Sequence, residues 1–394
     1  MPRSNIITRN IRILSLVSLF TDVASEMLYP VMPVYLKSIG YSIVFIGVLE
    51  GFAEATAGLS KGYFGNLSDR LGRRLPFVQA GYALSALSKP LMAVFVQPLW
   101  IFFTRAADRL GKGIRTAARD AMLSDEATPE TKGRVFGFHR SMDTLGAVAG
   151  PALALVFLYR YPGAYKSLFL LAFVPGALAI MFTLLIREKR NVRAEQPVKP
   201  GFWDFLHYWK RSPAQYRQLA GALLVFTLFN SSDVFLLLKM KESGLSDSAV
   251  IGVYIFYNLV YALASYPLGM LADRTGLNRV FAGGLLLFAV VYAGMAFFTS
   301  QVVFLALFFL YGLYAAATEG VAKAWISNIC EKKDTATAIG TYTAFQSVCT
   351  LFASSLAGLI WYSAGAGVTF LLSAGVAVLV AGYVGMIGFK SQKP

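Results

Sequence analysis

The stretch Gly65-Asn66-Leu67-Ser68-Asp69-Arg70-Leu71-Gly72 returns in outline as Gly269-Met270-Leu271-Ala272-Asp273-Arg274-Thr275-Gly276. Each copy follows a long apolar run and precedes another. A Gly-x-x-x-Asp-Arg-x-Gly pattern repeated at an offset of about 204 residues, in a chain of 394, predicts a duplicated unit of membrane-crossing helices. Shorter echoes support the duplication. Ile46-Gly47 matches Ile251-Gly252, and Phe136-Gly137 matches Ile339-Gly340.

Composition excludes a soluble protein. Hydrophobic residues make up 56% of the chain, charged residues only 14%, and the mean hydropathy is +0.58. Twelve apolar spans are expected, near 11–36, 43–64, 75–95, 98–119, 134–158, 164–186, 214–238, 249–271, 279–298, 302–326, 336–360 and 366–389. The first run is too long for a cleaved leader and ends in Pro30 and Pro33 rather than a small-residue site. A net charge of +15 suggests nucleic acid in a soluble protein. Here Arg3, Arg9, Arg12, Arg70, Arg73, Arg74, Arg187, Arg274, Lys332 and Lys333 fall in alternate loops. The positive-inside rule then places both termini in the cytoplasm, and no nucleic-acid partner is expected. Cys330 and Cys349 are isolated, so disulfide or zinc stapling is not expected.

The domain reading is a six-helix bundle over 1–187, a linker over 188–213 and a second six-helix bundle over 214–394. The linker carries Pro197 and Pro200, then Phe202, Trp203, Phe205, Tyr208 and Trp209. It reads either as a short amphipathic helix on the inner membrane surface or as a tether with aromatic anchors.

At this point the chain resembles the major facilitator superfamily over essentially its full length. The two loops look like that family's signature between spans two and three and its weaker copy between eight and nine. Arg109-Leu110-Gly111-Lys112-Gly113 in span four and Gly146-x-x-x-Gly150-Pro151 in span five are similar to further family patterns. The last resembles an element of proton-driven exporters, although this copy continues Ala152-Leu153-Ala154. The resemblance implies an all-α integral membrane protein with twelve transmembrane helices in two pseudo-symmetric bundles. It also implies a conformational latch made by Gly65, Asp69, Arg70, Gly72, Arg119 and Asp273. Asp69 can accept from helix N-terminal amides or pair with an arginine such as Arg119. The alternative is a static turn, which is the reading for Arg70, Arg73 and Arg74. Gly146, Gly150 and Pro151 are expected to pack and kink a helix.

Ionisable residues inside spans are the functional signal, since each costs roughly 2.5–3.5 kcal/mol at a helix centre. Asp22 and Glu26 share one face of span one, as Glu50 and Glu54 do in span two. Arg105, Asp108, Arg109, Lys112, Arg115 and Arg119 form one stripe along span four, and span five carries His139, Arg140 and Asp143. Expected pairings are Arg109 with Asp22 or Asp143, Arg105 with Glu26 or Glu50, and Glu319 with Lys323. Carboxylates in low dielectric take up protons readily. The proton-coupling candidates are therefore Asp22 and Glu54 first, then Asp143, Glu26 and Glu50. Substrate-binding candidates are Arg105 and Arg109, with Asn258, Tyr261 and Gln346 from a neutral, aromatic C-terminal half. Asn230, Ser231, Ser232 and Asp233 cluster in span seven. Tyr29-Pro30-Val31-Met32-Pro33 predicts a kink in span one.

The leading functional reading is a secondary transporter that moves a small organic solute by alternating access. Proton-coupled efflux is preferred, and proton-coupled uptake of an anionic metabolite or siderophore is the alternative. The arginine stripe hints at an anionic solute, while the same arginines disfavour a metal-ion carrier. A non-transporting receptor would usually add a soluble signalling domain. No nucleotide-binding loop or catalytic triad stands out, so no enzyme activity is expected. The expected energy source is a proton gradient with no cofactor. The expected form is a monomer in a bacterial inner membrane.

Overall fold

In the computed structural model, residues 6–188, 201–231 and 233–391 are described, and they are helical with no strand among them. Span one is two helices, α1 (Arg9–Glu26) and α2 (Met32–Ser38). Then come α3 (Ile43–Leu71), α4 (Leu75–Val94), α5 (Pro98–Asp125), α6 (Lys132–Arg160) and α7 (Tyr165–Thr183) as spans two to six. A short α8 (Asp204–Arg211) precedes span seven, itself split into α9 (Ala214–Phe229) and α10 (Asp233–Glu242). Spans eight to ten are α11 (Asp247–Thr275), α12 (Leu277–Phe297) and α13 (Gln301–Ile329). One long α14 (Thr335–Ser391) supplies spans eleven and twelve, bent at Gly365, whose φ is 86°.

Local chemistry sets the boundaries, and the repeat reuses it. Ser42 caps α3 by accepting from the Phe45 amide, and Ser246 caps α11 by accepting from the Ala249 amide. Gly72 ends α3 at φ 59° and Gly276 ends α11 at φ 108°, left-handed turns that a side chain would strain. The closing glycine of each loop motif is thus a helix stop.

Span one is broken rather than kinked. Pro30 has no N–H to donate and Pro33 follows within a turn. Span seven, expected to be continuous, is also broken. Asn230 adopts an extended conformation, its side chain bonds Tyr314, and Ser231 bonds Tyr292. Such side-chain bonds offer alternatives to the helical ladder. At the repeat offset Asn230 corresponds to Glu26, so both breaks fall at one place in the duplicated unit.

The described residues pack into two compact units. One draws on Met1–Glu126, Met142–Arg211 and Glu331–Ala344, and the other on Ala127–Ser141, Ser212–Cys330 and Phe345–Pro394. Helix α6 therefore opens in the second unit and α14 opens in the first.

Residues 189–200 of the expected linker lie outside the described residues. Its end, α8, is a helix with one face docked on protein, while Phe202 and Trp203 just before it are exposed. Phe205 and Tyr208 are buried, and the Phe205 ring sits over Gly62 of α3. Thr341 of α14 donates to the Phe205 carbonyl at 3.2 Å. Asp204 meets Arg70 at 3.2 Å, and Arg211 meets Asp334 at 3.9 Å.

Candidate functional site

In the first unit, α1 and α6 touch backbone to backbone. A Cβ on Gly146 would lie 2.5 Å from the Leu19 carbonyl and 2.9 Å from the Asp22 Cβ. A Cβ on Gly150 would lie 2.7 Å from the Met27 amide. Helix α6 runs on through Pro151 to Arg160, although Pro151 donates no backbone bond. The small residues are therefore a packing surface, and the packing brings two acids together. Asp22 and Asp143 face each other there: the Asp22 Cβ lies 2.9 Å from where a Gly146 Cβ would stand, and Gly146 is one turn of α6 from Asp143. Ser18 donates to Asp143 through a short bond. Arg119 donates to Ser18 at 3.0 Å and stands 4.0 Å from Asp143.

The α5 stripe is largely neutralised by its neighbours. Arg105 forks onto Glu50 at 2.8 and 2.7 Å, one of its two expected partners. Arg109 does not pair with Asp22 or Asp143. It holds Glu54 at 3.0 Å, approaches Glu50 at 4.0 Å and lies over the Tyr29 ring. The reason is helix neighbourhood: α3 packs along α5, while the α1–α6 contact keeps Asp22 and Asp143 for each other. Asp108 is held by Lys89 at 3.2 Å and Ser85 at 2.5 Å. Lys89, only 1% exposed, was not among the expected site residues. A lone lysine in the apolar run of α4 was its signal. Lys112 lies on the same stripe and makes no ion pair with Asp22, Glu26 or Glu54 among the described residues.

The loop motif has the same geometry twice. Asp69 accepts from the Thr337 amide at 2.7 Å and the Thr337 hydroxyl at 2.9 Å, capping the first turn of α14. Asp273 accepts from the Gly133 and Arg134 amides at 2.7 and 2.9 Å, capping the first turn of α6. Each opening glycine permits the approach. A Cβ on Gly65 would lie 2.5 Å from the Ala336 carbonyl, and one on Gly269 would strike Gly133. The echoed pair completes the pattern, with Gly340 against Lys61 and Gly137 against Ser265.

Asp69 does not pair with Arg119, whose guanidinium is taken by Asp120 at 2.9 Å. Its cation is Arg74 at 2.9 Å. Arg74 is buried, also meets Asp125, and donates to the Lys332 carbonyl at 3.2 Å. Arg74 is thus part of the cap rather than a loop anchor. Arg70 braces the same end through Asn66 at 3.0 Å and Asp204. A cavity of about 440 Å³ adjoins the cap, lined by Asp69, Arg74, Asp125, Arg187 and Lys332 among others.

Asp69 lies in the last turn of α3, past the apolar run that ends near residue 64. Burial pushes its carboxyl up to about 6, with Arg74 and Thr337 pulling the other way. The folded state therefore holds this proton more tightly than an unfolded chain. The group's contribution to stability is full below about pH 4 and is lost as pH rises through about 6. Melting curves of wild type and Asp69→Asn across that range should diverge with that slope; parallel curves would refute the assignment.

In the second unit the expected candidates are scattered among tyrosines. Asn258 donates to its own helix at the Tyr254 carbonyl, 3.0 Å away. Tyr261 is buried and accepts from Arg140, whose guanidinium also lies over the ring and pairs with Glu319. Gln346, on α14, is half-buried. The residue not foreseen as a site is Asp233, which opens α10 just after the break. It accepts from Tyr311 at 2.6 Å and from Tyr257 at 3.4 Å.

A family model for the Major Facilitator Superfamily matches residues 14–257 and 218–392. The chain belongs to the major facilitator superfamily. This member is 31% identical to the uncharacterized MFS-type transporter MJ1317 of Methanocaldococcus jannaschii, over 95% of this chain and 93% of that one. It is 23% identical to a multi-drug resistance efflux pump PmrA homolog of Lactococcus lactis, covering 90% of each. Its fold matches the crystal structure of the transporter FucP in the outward conformation with a TM-score of 0.79. That match covers 96% of this chain and 99% of FucP at 12% identity. The protein is a membrane-spanning transporter of the superfamily's twelve-helix fold and not an enzyme.

Proposed function

We propose that this superfamily member is a proton-coupled exporter that exchanges protons for a small organic solute by alternating access, as a monomer with both termini in the cytoplasm of a bacterial cell. The observation that carries the reading is that the α1–α6 contact seats Asp22 and Asp143 side by side. Two carboxylates that share a site repel each other, and a proton on one of them relieves the repulsion. Ser18 and Arg119 hold Asp143 in place. The Gly-Pro element on the same helix supports efflux, as does the likeness to an efflux pump. The arginine stripe supports an anionic solute less than its sequence suggests, because Glu50 takes the Arg105 fork and Glu54 takes one nitrogen of Arg109.

In this reading the caps on α14 and α6 are latches that must release for the cytoplasmic side to open. A gradient of 100 mV supplies about 2.3 kcal/mol per charge, useful work from a single proton. The test is internal pH in proteoliposomes across a panel of solutes. Asp22→Asn should cut proton-driven solute flux by at least about tenfold, equivalent to roughly 1.4 kcal/mol, with folding preserved. Counterflow without a gradient should survive. Full coupling in both Asp22→Asn and Asp143→Asn would remove the assignment.

A further inference from the structure

We propose that Asp233 is the seat of a positively charged group of the solute, an amine or a quaternary ammonium. The inference rests on the transporter reading and adds the sign of the cargo.

The argument begins with charge. Glu50, Glu54, Asp108 and Asp120 each hold an arginine or a lysine, and Glu319 holds Arg140. Asp22 and Asp143 lie against each other at the α1–α6 contact. Among the described residues Asp233 has no such partner; Glu26 has none in direct contact either, but it lies near Lys112, Arg109 and Arg105. The Asp233 side chain meets the hydroxyls of Tyr257 and Tyr311. A carboxylate in a membrane-spanning segment without a counter-charge is costly, and a bound cation removes that cost.

The surroundings favour an organic cation. The two phenols occupy one lone pair on each carboxylate oxygen, which leaves acceptor capacity for an ammonium. The Tyr257 and Tyr311 rings lie 5.1 Å apart, and the partly exposed Tyr254 ring is 5.7 Å from Tyr257. Aromatic faces attract quaternary and protonated amines. Asp233 follows the unwound turn of span seven, the kind of place where transporters of discontinuous-helix design hold solutes. A metal ion fits less well. It needs several hard ligands, and no group of three His, Cys, Asp or Glu suited to a metal occurs among the described residues.

A proton and an organic cation would then exclude each other at one carboxylate. The titratable groups facing it are Tyr257 on α11, Tyr292 on α12 and Tyr311 on α13, with Glu319 further along α13 and already held by Arg140.

The test uses the purified full-length protein, with tetraphenylphosphonium, ethidium and spermidine as cationic probes and benzoate as the anionic comparison. At least one cation should bind, more weakly as pH falls. Asp233→Asn should weaken it by at least about tenfold, as expected when one partner of a desolvated charge pair is removed, and Asp233→Glu should bind within a few-fold of wild type. No binding by any of the three cations, or equal binding by Asp233→Asn, overturns the proposal. If Asp233→Asn does not fold, protection of wild-type Asp233 from carbodiimide labelling by the bound cation decides, and unchanged labelling overturns it. Proteoliposome flux separates the two readings. Proton-driven flux of these cations that survives in Asp233→Asn removes the cation seat and leaves the exporter. Specific cation binding without any solute flux does the reverse.

Discussion

Asp69→Ala is expected to stop transport and to destabilise the first unit by about 3–5 kcal/mol, whereas Asp273→Ala should cost about 1–3 kcal/mol. The two aspartates occupy equivalent positions in the repeat and cap equivalent helices, so sequence alone predicts equal effects. Their cations differ. Removing Asp69 leaves Arg74, 5% exposed, without its buried carboxylate partner and frees Thr337 of both its bonds. Asp125 remains beside Arg74 but is itself more exposed and lies across the guanidinium. Asp273 meets Arg134 only at 3.6 Å, and that arginine is 22% exposed, so water can replace the lost partner. Thermal melts in detergent and counterflow in proteoliposomes check the ranking. Equal losses in both variants would mean that the amide caps alone carry the latch.

Gly146→Leu should abolish proton-coupled flux, and Gly146→Ala should reduce it severely. A Cβ at this position meets the backbone carbonyl of Leu19 and the Cβ of Asp22, neither of which is the movable end of a long side chain. Helix α1 must shift away from α6, and overpacking of this kind costs about 1–3 kcal/mol or more. The same shift separates Asp22 from Asp143, so coupling fails even where the protein still folds. Gly252→Ala is the control, because a Cβ there meets nothing within 4 Å. Wild-type coupling in Gly146→Leu would show that the close α1–α6 contact is not needed to pair the two acids.

Much of this architecture was legible in the chain. Spans five to twelve are apolar enough to be recognised by composition, and the periodic glycines and loop charges order them. Helix rise also placed Asp22, Arg109 and Asp143 at similar depth. Depth is only an axial coordinate, however. Which acid an arginine meets depends on which helices are neighbours and how each is rotated, and that choice gave Arg109 to Glu54. The same limit hid Arg74, which looks like any loop cation until the buried Asp69 is placed beside it. Lys89 and Asp233 were single charges in apolar runs, visible but without a pattern to rank them. The break in span seven escaped notice because Asn230 and Ser231 leave the helix for tyrosines on α13 and α12.

The sequence by itself determined the duplication, the membrane-spanning class and the family, because hydrophobic length, charge placement and turn glycines act locally and repeat at a constant offset. It also determined that the two halves differ, acid-and-base in one and tyrosine-rich in the other. Tertiary structure alone decided what the repeated aspartates do and where the unbalanced charge lies. Asp69 and Asp273 became helix caps because Gly65 and Gly269 let distant helix starts approach within hydrogen-bonding range. Asp233 became a carboxylate without a counter-ion among the described residues because the helices packed around it brought phenols. Both outcomes depend on contacts between residues far apart in the chain, which no local pattern encodes.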